Sequence, residues 1–225
     1  MATATPRHIT KARFKLPIQA AEAERLLISS YQREVDNRGG KMMADSHTTE
    51  CIKRVARWLT DGDKPSLLLC GGVGNGKTTM ARSVVGALET LVIATARHLQ
   101  ANRYRLPAEA IKELEEIERL PKGVVQRAID ITSLATTDTA KFDKLTRVGL
   151  LVVDDFGCEP TEVKSYGTEM SPMRDIIYRR YDLLLPTIIT TNLTMDDIRR
   201  VYGVRVWDRM REIYGVIGFN NKSYR

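Results

Sequence analysis

The sequence predicts an α/β protein built on a parallel sheet, preceded by a small helical N-terminal segment. Three observations carry this. Ser66-Leu67-Leu68-Leu69-Cys70 is a short apolar run of the kind that forms a strand buried on both faces. It leads directly into a glycine-rich turn, after which Met80, Val84, Ala87, Leu88 and Leu91 recur at helical spacing. Two later apolar runs, at 150–153 and 186–191, each end in polar residues. Central parallel strands do this where their C-terminal edge meets a ligand crevice.

The elements follow in order. Residues 1–17 carry Arg7, Lys11, Arg13 and Lys15 with Pro6 and Pro17, which predicts a basic extended arm. Ile18, Ala21, Arg25, Leu26, Ile28 and Val35 form a broadly helical pattern that Arg38-Gly39-Gly40 ends. Asp45 and Ser46 offer caps for a second helix, in which Ile52, Val55, Ala56 and Leu59 recur at i, i+3, i+4 and i+7 before Asp61-Gly62-Asp63 closes it. A soft boundary near residue 40 divides an N-terminal segment, 1–40, from the α/β domain, 41–225. Beyond the glycine-turn helix, Pro107 is placed to begin another at its first turn. Glu109, Glu113, Glu115, Glu116 and Glu118 make one side of it acidic, a solvated face or a contact for a basic partner, and Pro121 ends it. Val124 to Ile131 reads as a strand, followed by a short helix and Leu145.

The glycine turn carries chemistry. Gly71-Gly72-Val73-Gly74-Asn75-Gly76-Lys77-Thr78-Thr79 fits Gly-x4-Gly-Lys-Thr without mismatch. Glycines permit the partly left-handed path that aims successive backbone N–H groups at a phosphate. Lys77 is placed to reach β- and γ-phosphates and the Thr78 hydroxyl to ligate Mg²⁺. A helix starting near Gly76 adds its N-terminal dipole. Residues 72–79 are therefore candidates for holding ATP. The run Leu150-Leu151-Val152-Val153 stops at Asp154-Asp155, which is either a solvated acidic turn or, beside a P-loop, a Mg²⁺-holding carboxylate followed by a candidate base. Asn192 ends the run 186–191. It either opens a turn or, if its strand lies beside both motif strands, projects at the γ-phosphate.

The length of 225 residues suffices for one substantial core and a small appendage, and 43% hydrophobic content is that of a globular protein. No uninterrupted apolar run approaches the roughly 20 residues of a membrane span. Cys51, Cys70 and Cys158 are odd in number and lack metal-ligand spacing, so the expectation is a reducing, cytoplasmic setting with neither disulfide scaffold nor zinc site. His8, His47 and His98 are scattered singly. The net charge of +7 favours an anionic partner beyond nucleotide, nucleic acid first. Arginines are dense toward the end: Arg199, Arg200, Arg205, Arg209, Arg211 and Arg225. Val201, Val204, Trp207 and Met210 have helix-like spacing, which predicts an exposed Arg209, either part of a basic solvated face or a guanidinium for a neighbouring subunit's γ-phosphate.

Taken together, Gly-Asn-Gly-Lys-Thr-Thr, Val-Asp-Asp-Phe-Gly, Pro-Thr-Ile-Ile-Thr-Thr-Asn-Leu and Arg-Val-Trp-Asp-Arg-Met, with a terminal Ser-Tyr-Arg, resemble the DnaC-type bacterial helicase loaders from about residue 50 onward. The same blocks resemble the IstB-type transposition ATPases. The resemblance implies an AAA+ P-loop ATPase core, a parallel αβα sandwich with the nucleotide at a subunit interface. It assigns Lys77, Thr78 and Asp154 to phosphate and Mg²⁺, Asp155 to water activation, and Asn192 to the first sensor position. Arg209 becomes an arginine finger, with Arg205 a second interface arginine and Arg225 the second sensor. Many such ATPases carry a glutamate where this chain has Asp155, one methylene shorter, and the acidic 107–121 stretch lengthens the linker before Asp154. The implied partners are a replicative DnaB-type helicase gripped by residues 1–40, single-stranded DNA and, with ATP, further copies of the chain, away from any membrane. The alternatives are control of a transposase and a nucleotide-gated DNA-binding switch.

Overall fold

The computed structural model describes residues 14–42, 45–165 and 167–220. In chain order the elements are α1 (Ala20–Asp36), α2 (Ser46–Asp61), β1 (Ser66–Gly71), α3 (Lys77–Asn102), α4 (Ala108–Glu118) and β2 (Gly123–Arg127). They continue with α5 (Ala128–Thr137), α6 (Thr139–Thr146), β3 (Leu150–Phe156), β4 (Val163–Ser165), β5 (Thr168–Met170) and α7 (Pro172–Leu183). The chain then forms β6 (Thr187–Thr191), α8 (Met195–Tyr202), α9 (Val204–Ile213) and β7 (Tyr214–Phe219).

The main sheet has the order β2-β3-β6-β1-β7, and every neighbouring pair is parallel. β6 thus lies between the glycine-turn strand β1 and the Asp-Asp strand β3. β4 and β5 form a separate antiparallel hairpin. Strand side chains alternate between two cores, as a period of two requires. Leu67, Leu69, Leu150, Val152 and Ile188 face one core, which α1, α2 and α3 cover. Leu68, Leu151, Val153 and Ile189 face the other, beneath α5, α7, α8 and α9. These strands are buried on both faces, which is why their runs are apolar throughout.

The caps explain the helix boundaries. Asp45 accepts a hydrogen bond from the Thr48 N–H at 2.7 Å and starts α2. Thr194 and Asp197 form a reciprocal capping box on α8. α1 packs closely on α3 because Gly86 has no side chain: a Cβ there would lie 2.5 Å from Ser30 Oγ. Ala23, Leu27 and Tyr31 join the core shared with α2 and α3, so the boundary near residue 40 separates elements within one core. α3 has the length and mean hydropathy of a membrane span by composition, but Met80, Val84, Leu88 and Leu91 bury one face of it against the sheet and α1. It is a core helix.

Two local expectations are corrected. The strand expected over Val124 to Ile131 ends at Arg127, and a helix begins at Ala128. Ala128, Ile131 and Ala135 are spaced for one helical face, and all three are buried under the sheet. Pro107 is the extended N-cap of α4 and stands one residue before its first turn. Of the basic arm, residues 1–13 lie outside the described residues. Leu16 of that arm is buried and donates its N–H to the Leu59 carbonyl at 2.8 Å.

Candidate functional site

The glycine turn is shaped by its backbone. Gly74 and Gly76 have φ of +79° and +93°, a region that side-chain-bearing residues rarely enter. Gly76 caps α3, so the free N–H groups of the helix's first turn open toward the loop. Gly71, at φ +145°, lies so close to β7 that a Cβ would stand 2.1 Å from the Phe219 carbonyl oxygen. Asn75 is buried and donates its side-chain N–H to that same carbonyl, which locks the loop to the sheet edge.

Lys77 is 6% exposed. Its Nζ donates to the Gly71 carbonyl at 2.9 Å, to Asn75 Oδ1 at 3.1 Å and to Asn192 Oδ1 at 2.9 Å, and it also contacts the Gly72 carbonyl. Burial pulls the Lys77 pKa down, and the nearby Asp155, Cys70 and Asp154 oppose that pull. The Asn192 contact depends on β6 lying beside β1, as the sheet order places it.

β3 supplies the carboxylates. The Thr78 hydroxyl donates to Asp154 Oδ1 at 2.8 Å, and the Thr190 hydroxyl donates to the same oxygen at 2.6 Å. Asp154 is 3% exposed, whereas its neighbour Asp155 is open to solvent. The cause is a break in register between Val153 and Phe156, with Asp155 in the left-handed region at φ +57°. The Asp155 N–H is satisfied by Thr190 Oγ1 at 2.9 Å. Gly157 then turns at φ +99°, where a Cβ would collide with Leu193.

These residues meet at a cavity of about 910 Å³ lined by residues 73–79, Asp155, Cys158 and Asn192. Its other wall is Tyr31, Val35, Arg38, Gly40 and Lys41, from α1 and the turn after it. A hydroxyl and a buried carboxylate side by side suit Mg²⁺, which takes few protein ligands and completes its shell with water and phosphate oxygens. Thr78 and Asp154 would hold the ion, which would neutralise phosphate charge. Asp155 and Asn192 line the same cavity.

The arginines are placed differently. Arg209 was expected to be exposed but is only 32% so at its side chain: it stacks 4.1 Å over the Tyr178 ring and 5.0 Å from Tyr181, with Asp182 at 3.9 Å. α9 packs on α7, and the two tyrosines offer the guanidinium aromatic faces. Arg205 is exposed on α9. Neither arginine lines the cavity of its own chain. Arg225 lies outside the described residues.

Three features escaped the sequence reading. Thr190 looks like one more β-branched strand residue, and only pairing with β3 shows its hydroxyl on Asp154. Arg38 follows a helix end with no local signal, yet reaches the cavity. Glu159 is buried, accepts from the Gly157 N–H at 2.8 Å and from the Tyr202 hydroxyl, and braces the turn after Asp155. Tyr202 also stacks on Phe156 at 4.3 Å.

Fold and site together define an α/β protein with a P-loop motif between β1 and α3 and the strand β6 between the two motif strands. Within that class the chain is similar to the DnaC-type helicase loaders. No protein-family model matches it. It is 26% identical over 170 residues to the replicative helicase loader DnaC of Escherichia coli K12 and of Shigella flexneri. The match takes in 73% of this chain but 58% of those relatives' length. Among solved structures, DnaI superposes with a TM-score of 0.55 at 17% identity, covering 90% of this chain and 93% of that one. The DnaC helicase loader superposes at 0.52 with 21% identity, covering 80% and 93%. AMPPCP-bound DnaA from Aquifex aeolicus gives 0.50 at 17% identity over 81% of this chain and 50% of that one. These likenesses identify the fold.

Proposed function

We propose that the chain is an ATP-hydrolysing loader of a replicative DnaB-type helicase onto single-stranded DNA. The observation that carries it is the meeting of Lys77 and Thr78 with Asp154 and Asn192 from two further strands, at direct hydrogen-bond distance. In this reading residues 72–79 and Lys77 hold the triphosphate, Thr78 and Asp154 hold Mg²⁺, Asp155 orients the attacking water and Asn192 senses the γ-phosphate. Arg209, with Arg205, acts on the nucleotide of a neighbouring copy, since neither reaches the chain's own cavity. Assembly and hydrolysis are thereby linked. Arg225 is the second sensor in the same scheme. The +7 charge supports an anionic polymer as partner. Residues 1–40 grip the helicase, and hydrolysis releases it.

The test is affinity capture with tagged protein from host lysate, with and without ATP, beside a version lacking residues 1–40 whose melting temperature shows that it still folds, since α1 shares the core. The expected result is ATP-dependent recovery of the replicative helicase, lost on truncation. Recovery of a transposase instead would refute the helicase assignment while leaving the ATPase reading intact. Normal ATP binding by Lys77→Ala would remove the base of both.

A further inference from the structure

The wall of the cavity opposite the glycine loop has no place in the chemistry above, and it carries two cations, Arg38 and Lys41, of which Arg38 contacts the first turn of α3. The chain leaves α1 through a tight turn in which Arg38 N–H donates to the Val35 carbonyl at 3.1 Å, Gly39 N–H to Asp36 at 2.9 Å and Gly40 N–H to Val35 at 3.1 Å. Gly39, at φ +70°, allows the reversal. The turn is anchored because α1 is seated on α3 through Ser30 and Gly86. It delivers the Arg38 guanidinium to Thr79, whose hydroxyl accepts from Nη1 at 3.0 Å. Thr79 stands next to Thr78 in the first turn of α3, and both line the cavity with Arg38.

Among the described residues no carboxylate pairs with Arg38. Among those residues the hydrogen-bond partner of its guanidinium is a neutral hydroxyl. A permanent cation without a protein counter-ion, at the mouth of a cavity whose loop is built for phosphate, matches an anionic ligand, and guanidinium geometry suits phosphate oxygens. P-loop backbones cradle the α- and β-phosphates, while the lysine reaches toward the γ end. Thr79 is on the α3 side of that cradle, and Asp155 and Asn192 are on the β3 and β6 side. A triphosphate cradled in that way would present to Arg38 the phosphates that ADP keeps.

We propose that Arg38 is a second cation for the inner phosphates of the bound nucleotide and that, by engaging them, it ties α1 to the occupancy of the site. The proposal rests on reading the cavity as a triphosphate site. A segment assigned to partner binding then senses nucleotide through one side chain, with no rearrangement of the sheet.

The test uses the full chain, with ATP and ADP affinities measured by competition against a fluorescent ADP and with hydrogen exchange followed over Ala20–Asp36. Arg38→Gln weakens ATP and ADP by the same factor, about tenfold, as expected for one charge-assisted hydrogen bond. Arg38→Lys recovers part of it. Saturating nucleotide slows exchange in α1 of the unaltered chain and leaves α1 of Arg38→Gln unchanged. Equal affinities in Arg38→Gln and the unaltered chain would overturn the proposal. So would a loss confined to ATP, or full α1 protection in the variant at saturation. Nucleotide-free melting temperatures establish that the variants fold, and Arg38→Lys carries the test if Arg38→Gln does not. If the unaltered chain binds no nucleotide, both readings fall. If it binds in a Lys77-dependent way and Arg38→Gln is indistinguishable from it, only the Arg38 proposal falls.

Discussion

Replacing Thr190 by valine isolates one hydroxyl on which the carboxylate site depends. Valine keeps the shape and the β-branching in this fully buried position, so the change acts through the hydroxyl alone. What disappears is a donor to Asp154 Oδ1 at 2.6 Å and an acceptor for the Asp155 N–H at 2.9 Å. An orphaned buried N–H costs about 1–3 kcal/mol, and a lost hydrogen bond to a charged group about 1.5–3 kcal/mol. Asp154 retains the Thr78 hydroxyl, and Asp155 stands at the exposed end of its strand, so the lower halves apply. The expected loss is about 2–4 kcal/mol of unfolding free energy, or roughly 5–15 °C in melting temperature for a chain of this size. The same change frees Asp154 to turn. Removing a hydrogen bond that orients a metal-binding carboxylate typically weakens the site about 10- to 100-fold. Urea unfolding and the Mg²⁺ concentration for half-maximal ATP turnover measure the two effects, with Thr190→Ser, which keeps the hydroxyl, as control. Stability within about 0.5 kcal/mol of the original, with unchanged Mg²⁺ dependence, would refute the assigned role of Thr190.

Three other outcomes are expected. Asp155→Asn keeps ATP affinity within about threefold but slows turnover by about 100-fold or more, the contribution typical of a positioned base; equal turnover in a steady-state assay would remove Asp155 from the reaction. Arg209→Ala abolishes most turnover at concentrations that support assembly, and mixing it with Lys77→Ala restores part, since one chain then supplies the nucleotide site and the other the arginine; no recovery in the mixture would argue against action in trans. Arg180 is 1% exposed, its pKa is pushed down to about 10 by burial, and its guanidinium donates to Thr187 Oγ1 and to the carbonyls of Thr146, Val148 and Pro186. Arg180→Met leaves three carbonyls without that donor, so urea melts should show a loss of roughly 3–5 kcal/mol; a loss under about 1 kcal/mol would show that water replaces it.

The strands and helices that position the site were legible because each is a local pattern. The apolar runs at 66–70, 150–153 and 186–191 needed no partner to be read, since burial on both faces leaves the same mark wherever the strand sits. The glycine turn was legible for a related reason: a phosphate cradle needs backbone freedom, one lysine and one hydroxyl at fixed spacing, all within nine residues, 71–79. Where two elements shared one apolar run, at Val124 to Ile131, local pattern misled, because a strand ending and a helix starting can both be apolar.

Composition and motif spacing alone therefore determined the α/β class, the parallel strands, the P-loop motif and a candidate carboxylate pair at the end of a strand. Tertiary structure alone decided that β6 lies between β1 and β3, which puts Asn192 on Lys77 and Thr190 on Asp154. It also decided that a register break sends Asp154 inward and Asp155 outward, that Arg209 stacks on two tyrosines, and that Arg38 meets Thr79. Each of these pairs elements distant in sequence or depends on a backbone break. Contacts of this kind are set by how strands order and helices cross, which no stretch of the chain encodes by itself.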